Sequence, residues 1–247
     1  MKAAIMQPYF LPYLGYWQLI AGVDLFVLYD DIQYTKRGWI NRNRFLRNGE
    51  AAPFTIPLRG APDGLDVRER WIAETFDRAK LLRQWAGAYH GAPFLTQAMD
   101  LLSPVVMYEA SNLYEYLHHS VTAVCASLGI STAIKRSSSI PGSNSLRAEA
   151  RVIAVCREVG AETYLNPIGG TDLYQAADFA AAGIALRFHS MRPVHDQQGS
   201  GPWVPNLSIV DLLMFLGTDG VRALLPQYDE LSPEMARGLV ASGQEGN

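Results

Sequence analysis

Apolar and polar positions along the chain fall into short runs that switch between strand-like and helix-like spacing. Lys2–Met6 is a compact apolar run, too short for a helix, and predicts a buried strand at the start. Gln7–Gly15 carries Pro8, Pro12 and Gly15 and therefore reads as a loop. From Gly15 to Val23 the spacing turns helical, with Tyr16, Leu19, Ile20 and Val23 on one face. Leu25–Tyr29 (LFVLY) predicts a second strand, ended by Asp30-Asp31. Strand, loop, helix and strand within about 30 residues form a βαβ unit, which requires parallel pairing because the chain must cross over.

Further along, Phe54–Leu58 predicts a strand, and Asp77–Tyr89 and Ser103–Leu128 predict helices. In the second of these, Val106, Leu113, Leu117, Val121 and Val124 are expected inward, with Gly129 as the stop. Thr132–Arg136 predicts a strand. Ser145–Val159 predicts a helix with Leu146, Ala150, Ile153 and Ala154 inward and Gly160 as its cap. Thr163–Leu165 and Ala185–Phe188 predict strands, Gln197–Pro205 a Gly/Pro-rich loop, and Ser208–Leu216 an apolar helix capped by Ser208. The polar stretch from Ser232 is expected to fray. The fold expected is α/β: a mainly parallel, doubly wound, Rossmann-like sheet of about five strands, with a helical insertion over about 77–128. One domain is expected over 1–231, followed by a flexible tail over 232–247, with no internal repeat.

Composition narrows the function classes. Of 247 residues, 49% are hydrophobic and 18% charged, so the chain has enough apolar surface to fold. Lys plus Arg number 21 against 24 Asp plus Glu, a net charge of −3 without the basic excess expected of a duplex-DNA binder. The two cysteines, Cys125 and Cys156, make neither a disulfide framework nor a zinc site, and both fall on expected inner helix faces as small hydrophobes. Ala3–Val23 is uncharged and long enough to span a bilayer, yet it contains Gln7, Pro8, Pro12, Gly15 and Gln18. It also lacks a basic lead followed by a smooth apolar stretch. It is read as part of the mature fold, with no transmembrane segment, and the protein as cytoplasmic.

Chemistry concentrates in three segments. Residues 1–45 hold ten of the 26 aromatic residues, among them Tyr9, Tyr13, Tyr16, Trp17, Tyr29, Tyr34 and Trp39. Such a cluster is either a lid on the core or the lining of a sugar or nucleotide pocket, since each tyrosine has a polar handle. The segment Asp30–Asn43 (DDIQYTKRGWINRN) sets two carboxylates at a strand end beside Gln33, Lys36, Asn41, Arg42 and Asn43. Paired carboxylates can hold a metal or act as a general base, and a planar guanidinium suits a phosphate or carboxylate. The bland alternative pairs Arg42 with Asp30 or Asp31 as structure. In Tyr164–Thr171 (YLNPIGGT), Asn166, Gly169 and Gly170 follow an expected strand, where Gly-Gly either brings backbone N–H groups to a ligand or makes a turn. Among five histidines no metal-ligand spacing occurs, and no metal site is expected. His189 and His195, after the ALRF strand, are the acid/base candidates.

Four strings carry a resemblance: MQPYFLPYLGYWQLI, DLFVLYDDIQYTKRGWINRN, YLNPIGG and PNLSIVDLLMFLG. Together they run from Met1 to about Leu225 and resemble the WbqC-like family, which is associated with bacterial O-antigen and related polysaccharide gene clusters. The matching positions include Gln7, Tyr9, Gly15, Tyr16, Asp30, Asp31, Gln33, Tyr34, Lys36, Trp39, Asn41, Arg42, Asn43, Asn166, Gly169, Gly170, Ser208 and Asp211. The resemblance implies a glycine (aminoacyl) transferase acting on an amino sugar. A fainter likeness links Tyr13-Leu14-Gly15-Tyr16 to the nucleotidyltransferases, which carry His-x-Gly-His there. Neutral Tyr13 and Tyr16 cannot supply an imidazolium's charge to a phosphate.

The expected function is therefore transfer of an aminoacyl group, such as glycyl, onto the amine of a nucleotide-linked sugar in surface polysaccharide biosynthesis. Asp30 or Asp31 is the expected base, with His189 as substitute. Arg42 and Lys36 would hold phosphates, and Asn41 and Asn43 the hydroxyls. Tyr9, Tyr13, Tyr16 and Trp39 would face the sugar or base, with Gln7, Gln33, Tyr34 and Asn166 as further contacts. The Gly169-Gly170 amides would meet the oxyanion. The partners are the sugar nucleotide and an activated aminoacyl donor, whether adenylate, carrier-protein thioester or charged tRNA; no cofactor is identified. The rivals are a diverged nucleotidyltransferase using NTP and Mg²⁺ on Asp30/Asp31, and a non-catalytic sugar-nucleotide-binding scaffold.

Overall fold

A computed structural model describes residues 1–142, 146–194, 198 and 201–243. In chain order the elements are β1 (Lys2–Met6), α1 (Leu14–Ala21), β2 (Leu25–Leu28), β3 (Arg42–Arg47), β4 (Glu50–Thr55), α2 (Arg78–Ala88), α3 (Leu95–Met107) and α4 (Leu113–Ser127). They continue with β5 (Ala133–Arg136), α5 (Ala148–Glu158), β6 (Thr163–Pro167), α6 (Ala176–Ala181), β7 (Ala185–Met191), α7 (Ile209–Leu224), β8 (Tyr228–Leu231) and α8 (Pro233–Ala241). A six-stranded sheet runs β5-β2-β1-β6-β7-β8, parallel except at the β7/β8 edge, and β3 and β4 make a separate antiparallel hairpin.

The apolar runs at β1 and β2 are continuous because both sheet faces are covered. Ala4, Phe26 and Leu28 belong to a core shared with α1, α4 and α7, while Ala3, Ile5, Leu25, Val27 and Tyr29 belong to a second core with α5, α6 and α8. This period-two division is what a doubly wound sheet demands. The chain leaves β1 for β2 on one side and later places β6 and β7 on the other. The crevice between the carboxyl ends of β1 and β6 is thus the topological switch point.

Several local expectations are corrected. The strand expected at Phe54–Leu58 is β4, four residues earlier at its start, paired with β3 (Arg42–Arg47), a strand not foreseen. The helix expected over Ser103–Leu128 is two helices. The break at 108–112 pairs with residues 70–72 through Ile72 N–H to Ser111 O (2.8 Å), and Asn112 caps α4 by accepting from Glu115 N. In α5 the inward face is Arg151, Val152, Val155 and Cys156, whereas Leu146 and Ala150 are exposed, because Arg151 turns in toward Asp31. The start expected for that helix at Ser145 lies outside the described residues. Beyond Ser208, which caps α7 as expected by accepting from Val210 N, the helix runs on to Leu224 with a kink at Gly217. The stretch expected to fray from Ser232 instead forms α8, capped by Ser232 and seating Ala236 in the second core. No helix among the described residues is long and apolar enough to cross a membrane.

Candidate functional site

A cavity of about 300 Å³ opens at the carboxyl edge of the sheet, walled by the loop after β1, the start of β3, the turn after β6 and the end of β7. The loop after β1 is forced into shape. Leu11 has φ 44°, a left-handed conformation costly for a side chain with a Cβ. Its carbonyl accepts from Asn43 Nδ2 (2.8 Å) and Ser208 Oγ (2.6 Å), and Pro12 O accepts from Trp17 Nε1 (3.0 Å) and Ile209 N (2.9 Å). These bonds from β3, α1 and α7 hold Tyr9, Pro12 and Tyr13 against the cavity.

His189 lines the opposite wall. On β7 it stands opposite Pro167 of β6 and Glu230 of β8, and it is buried. Burial lowers its imidazole pKa to about 4, against a smaller upward pull from a backbone hydrogen bond, so the ring is neutral at pH 7. Its Nε2 lies 3.1 Å from Gln18 Oε1. Gln18 Nε2 donates to Leu224 O (2.8 Å) and Gln227 O (3.1 Å), which fixes Oε1 as an acceptor. His189 Nε2 therefore carries the proton, and the lone pair is on Nδ1.

The mouth carries Trp39 and Arg44. Trp39 is 44% exposed, and the Arg44 guanidinium lies over its ring at 5.3 Å. Arg44 Nε is buried without a hydrogen-bond partner, and Arg44 has no ion pair among the described residues. A planar cation stacked on an indole with a spare donor suits an anionic group.

Six of the sequence-derived candidates meet here: Tyr9, Tyr13, Trp39, Asn43, Gly169 and His189. Gln7, Asn166 and Gly170 line a neighbouring hollow that also touches Tyr9 and Gly169. The others are elsewhere. Asp30 is 1% exposed and accepts from Ser137 Oγ (3.0 Å), Ser138 N (2.8 Å) and Ser138 Oγ (2.5 Å). Asp31 pairs with Arg151 at 2.6 Å and shares the single Ser137 hydroxyl proton with Asp30. Neither carboxylate lines the cavity, and each is engaged in the bonds that tie the end of β2 to its neighbours. Arg42 donates to Gly38 O (2.9 Å) and Lys36 O, closing its own turn, and Lys36 pairs with Asp63 on the surface. Tyr34 donates to Asn41 Oδ1 (2.8 Å), and Asn41 donates to Ile56 O (2.7 Å). Tyr16 is buried and donates to Gln7 O (2.9 Å), and Gln33 borders a separate hollow beside Asp31. His195 lies outside the described residues. Both cysteine thiols are buried, which pushes each pKa up to about 12. Among the described residues no group of three or more His, Cys, Asp or Glu side chains could hold a metal.

Arg44, Ser190, Met191 and Asn206 were not foreseen as lining residues. Arg44 had a signal: in the strand Arg42–Arg47, period two puts it on the same face as Arg42. Of the two, only Arg44 borders the cavity.

The model of the WbqC-like protein family matches residues 7–223. The chain is similar to the uncharacterized protein Rv1507c of Mycobacterium tuberculosis, 30% identical over 224 residues that cover 88% of this chain and 95% of that one. No solved structure matches. Residues 7–223 contain every wall of the cavity, and the chain belongs to the WbqC-like protein family.

Proposed function

We infer that the protein transfers an acyl group, of the aminoacyl (glycyl) class, onto the amine of a nucleotide-linked amino sugar. The observation that carries this reading is the neutral, buried His189 in a cavity whose mouth presents Arg44 on Trp39, with no ion pair to Arg44 among the described residues. A sugar nucleotide combines an anionic part with ring faces, and Arg44 and the aromatic walls answer these in turn.

The base moves from Asp30 or Asp31 to His189. The free amine attacks the carbonyl carbon, the new N–C bond forms, and the carbonyl electrons pass to oxygen. Attack makes the amine N–H far more acidic, so a base as weak as His189 takes that proton on Nδ1. The carbonyl re-forms as the leaving group departs with its electron pair, and the proton follows to it. Gln18, accepting from Nε2–H, stabilises the imidazolium that exists between those steps.

The test incubates the purified protein with UDP-linked amino sugars and an activated glycine donor supplied as thioester, adenylate or glycyl-tRNA. Mass spectrometry should find the glycyl-sugar nucleotide. His189→Gln should lower turnover by about 10²–10⁴ with little change in sugar-nucleotide affinity. Binding of the sugar nucleotide without turnover by any donor would replace this reading with a scaffold.

A further inference from the structure

We propose that the neighbouring hollow, at the switch point between β1 and β6, is the nucleoside chamber of the same site, separate from the chamber that holds His189. This deepens the sugar-nucleotide reading and rests on it. The hollow measures about 340 Å³ and, among the described residues, shares Tyr9, Pro167 and Gly169 with the first cavity, so these three form a common rim. Both volumes lie within about 300–1,000 Å³, the range of small-molecule sites.

The two chambers differ in charge. Among the described residues no Asp, Glu, Lys or Arg lines the hollow, whereas Arg44 borders the first cavity. A phosphate would be left uncompensated in the hollow itself, at a large desolvation cost, and meets Arg44 across the rim. What the hollow offers is aromatic and apolar wall with neutral polar side chains: Tyr29, Tyr174 and Leu173 with Gln7 and Asn166. Leu173 is 66% exposed, an apolar side chain left at the mouth of a concave surface. A nucleoside has the matching chemistry, an uncharged ring with a hydrogen-bonding edge and a ribose.

The backbone also makes room. A Cβ at Gly170 would collide with Asn166 Nδ2, so the turn packs directly on the end of β6. Asn166 is held there by accepting from Tyr164 Oη (3.0 Å) and donating to Pro167 O (2.9 Å). The hollow is therefore preformed on strand ends.

The experiment uses the full chain and probes that separate the two parts: uridine, cytidine, adenosine and guanosine as uncharged nucleosides, and inorganic pyrophosphate as the anion. Calorimetry should find binding of at least one nucleoside. Leu173→Asn, at an exposed position, should weaken it by about fivefold or more while leaving pyrophosphate affinity unchanged. Arg44→Ala should do the reverse. In amide NMR spectra the nucleoside should shift Gly170–Tyr174 and pyrophosphate should shift Arg44 and its neighbours. The proposal is overturned if no nucleoside binds. It is equally overturned if nucleoside affinity responds to Trp39→Ala and not to Leu173→Asn. Nucleoside binding that responds to Leu173, with no acyl transfer, would refute the transferase reading alone. Transfer that is indifferent to Leu173 would refute the chamber assignment alone.

Discussion

Arg151 holds the Asp31 carboxylate at 2.6 Å with both side chains about 95% buried, joining α5 to the end of β2. The guanidinium also donates to Asp31 O (3.0 Å) and lies over the Tyr29 ring at 4.9 Å. Breaking such a pair leaves an unpaired buried charge. Arg151→Ala should therefore cost about 3–5 kcal/mol of stability, read by chemical denaturation. If the Asp30 and Asp31 pair is structural, Asp31→Asn should lower stability without altering turnover per folded molecule. A normally folded Asp31→Asn variant that loses turnover a hundredfold would return the base to this pair.

Acid should act on stability most strongly through two groups with opposite signs. His189 has its folded pKa lowered to about 4, below the unfolded value of 6.5, so between those values the unfolded chain binds more protons. Stability from this group falls as pH drops through that window, by as much as about 3 kcal/mol. Asp211 accepts from Tyr89 Oη (2.9 Å) and Gln198 Nε2 (2.7 Å), yet burial raises its pKa from 3.8 to about 6. There the folded chain binds more protons, so stability from Asp211 rises as pH drops from about 6 to 3.8. His189→Gln should remove the first effect and soften the loss of stability on acidification. Asp211→Asn should remove the second and steepen the loss. Denaturation midpoints between pH 7 and 4 distinguish them.

The Gln18 bond to His189 makes a prediction readable without any substrate. Nitrogen-15 NMR should show His189 as a single neutral tautomer protonated at Nε2 from pH 7 down to about pH 5. Gln18→Leu should let the Nδ1–H tautomer appear. An Nδ1–H ring in the unsubstituted protein would remove the proposed proton acceptor.

Thiol chemistry is not expected. Cys125 belongs to the first core and Cys156 to the second, and burial keeps both thiols protonated at neutral pH. The double variant Cys125→Ala, Cys156→Ala should keep ligand binding and turnover and lose about 1–3 kcal/mol. Inactivity in a folded double variant would contradict this.

The chain pattern alone determined the parallel sheet. Continuous apolar runs at β1 and β2, joined by one short helical repeat that carries the chain back across the sheet, point to parallel strands covered on both faces. The same reading found the aromatic loop after β1 and the Gly-Gly turn after β6, because strand ends on one sheet edge follow from the order of elements. Side-chain partnership was not legible. Asp30 and Asp31 look like free acids beside Lys36 and Arg42, but the groups that meet them, Ser137 and Arg151, are 106 to 120 residues away in sequence. His189 owes its tautomer to Gln18, 171 residues earlier. Arg42 turned back on its own loop while Arg44 reached Trp39, a choice made by the β3–β4 hairpin. Local spacing fixes which residues share a face. Only the closed tertiary structure fixes which polar atoms are already satisfied, because desolvation and hydrogen bonding depend on whatever the fold brings alongside.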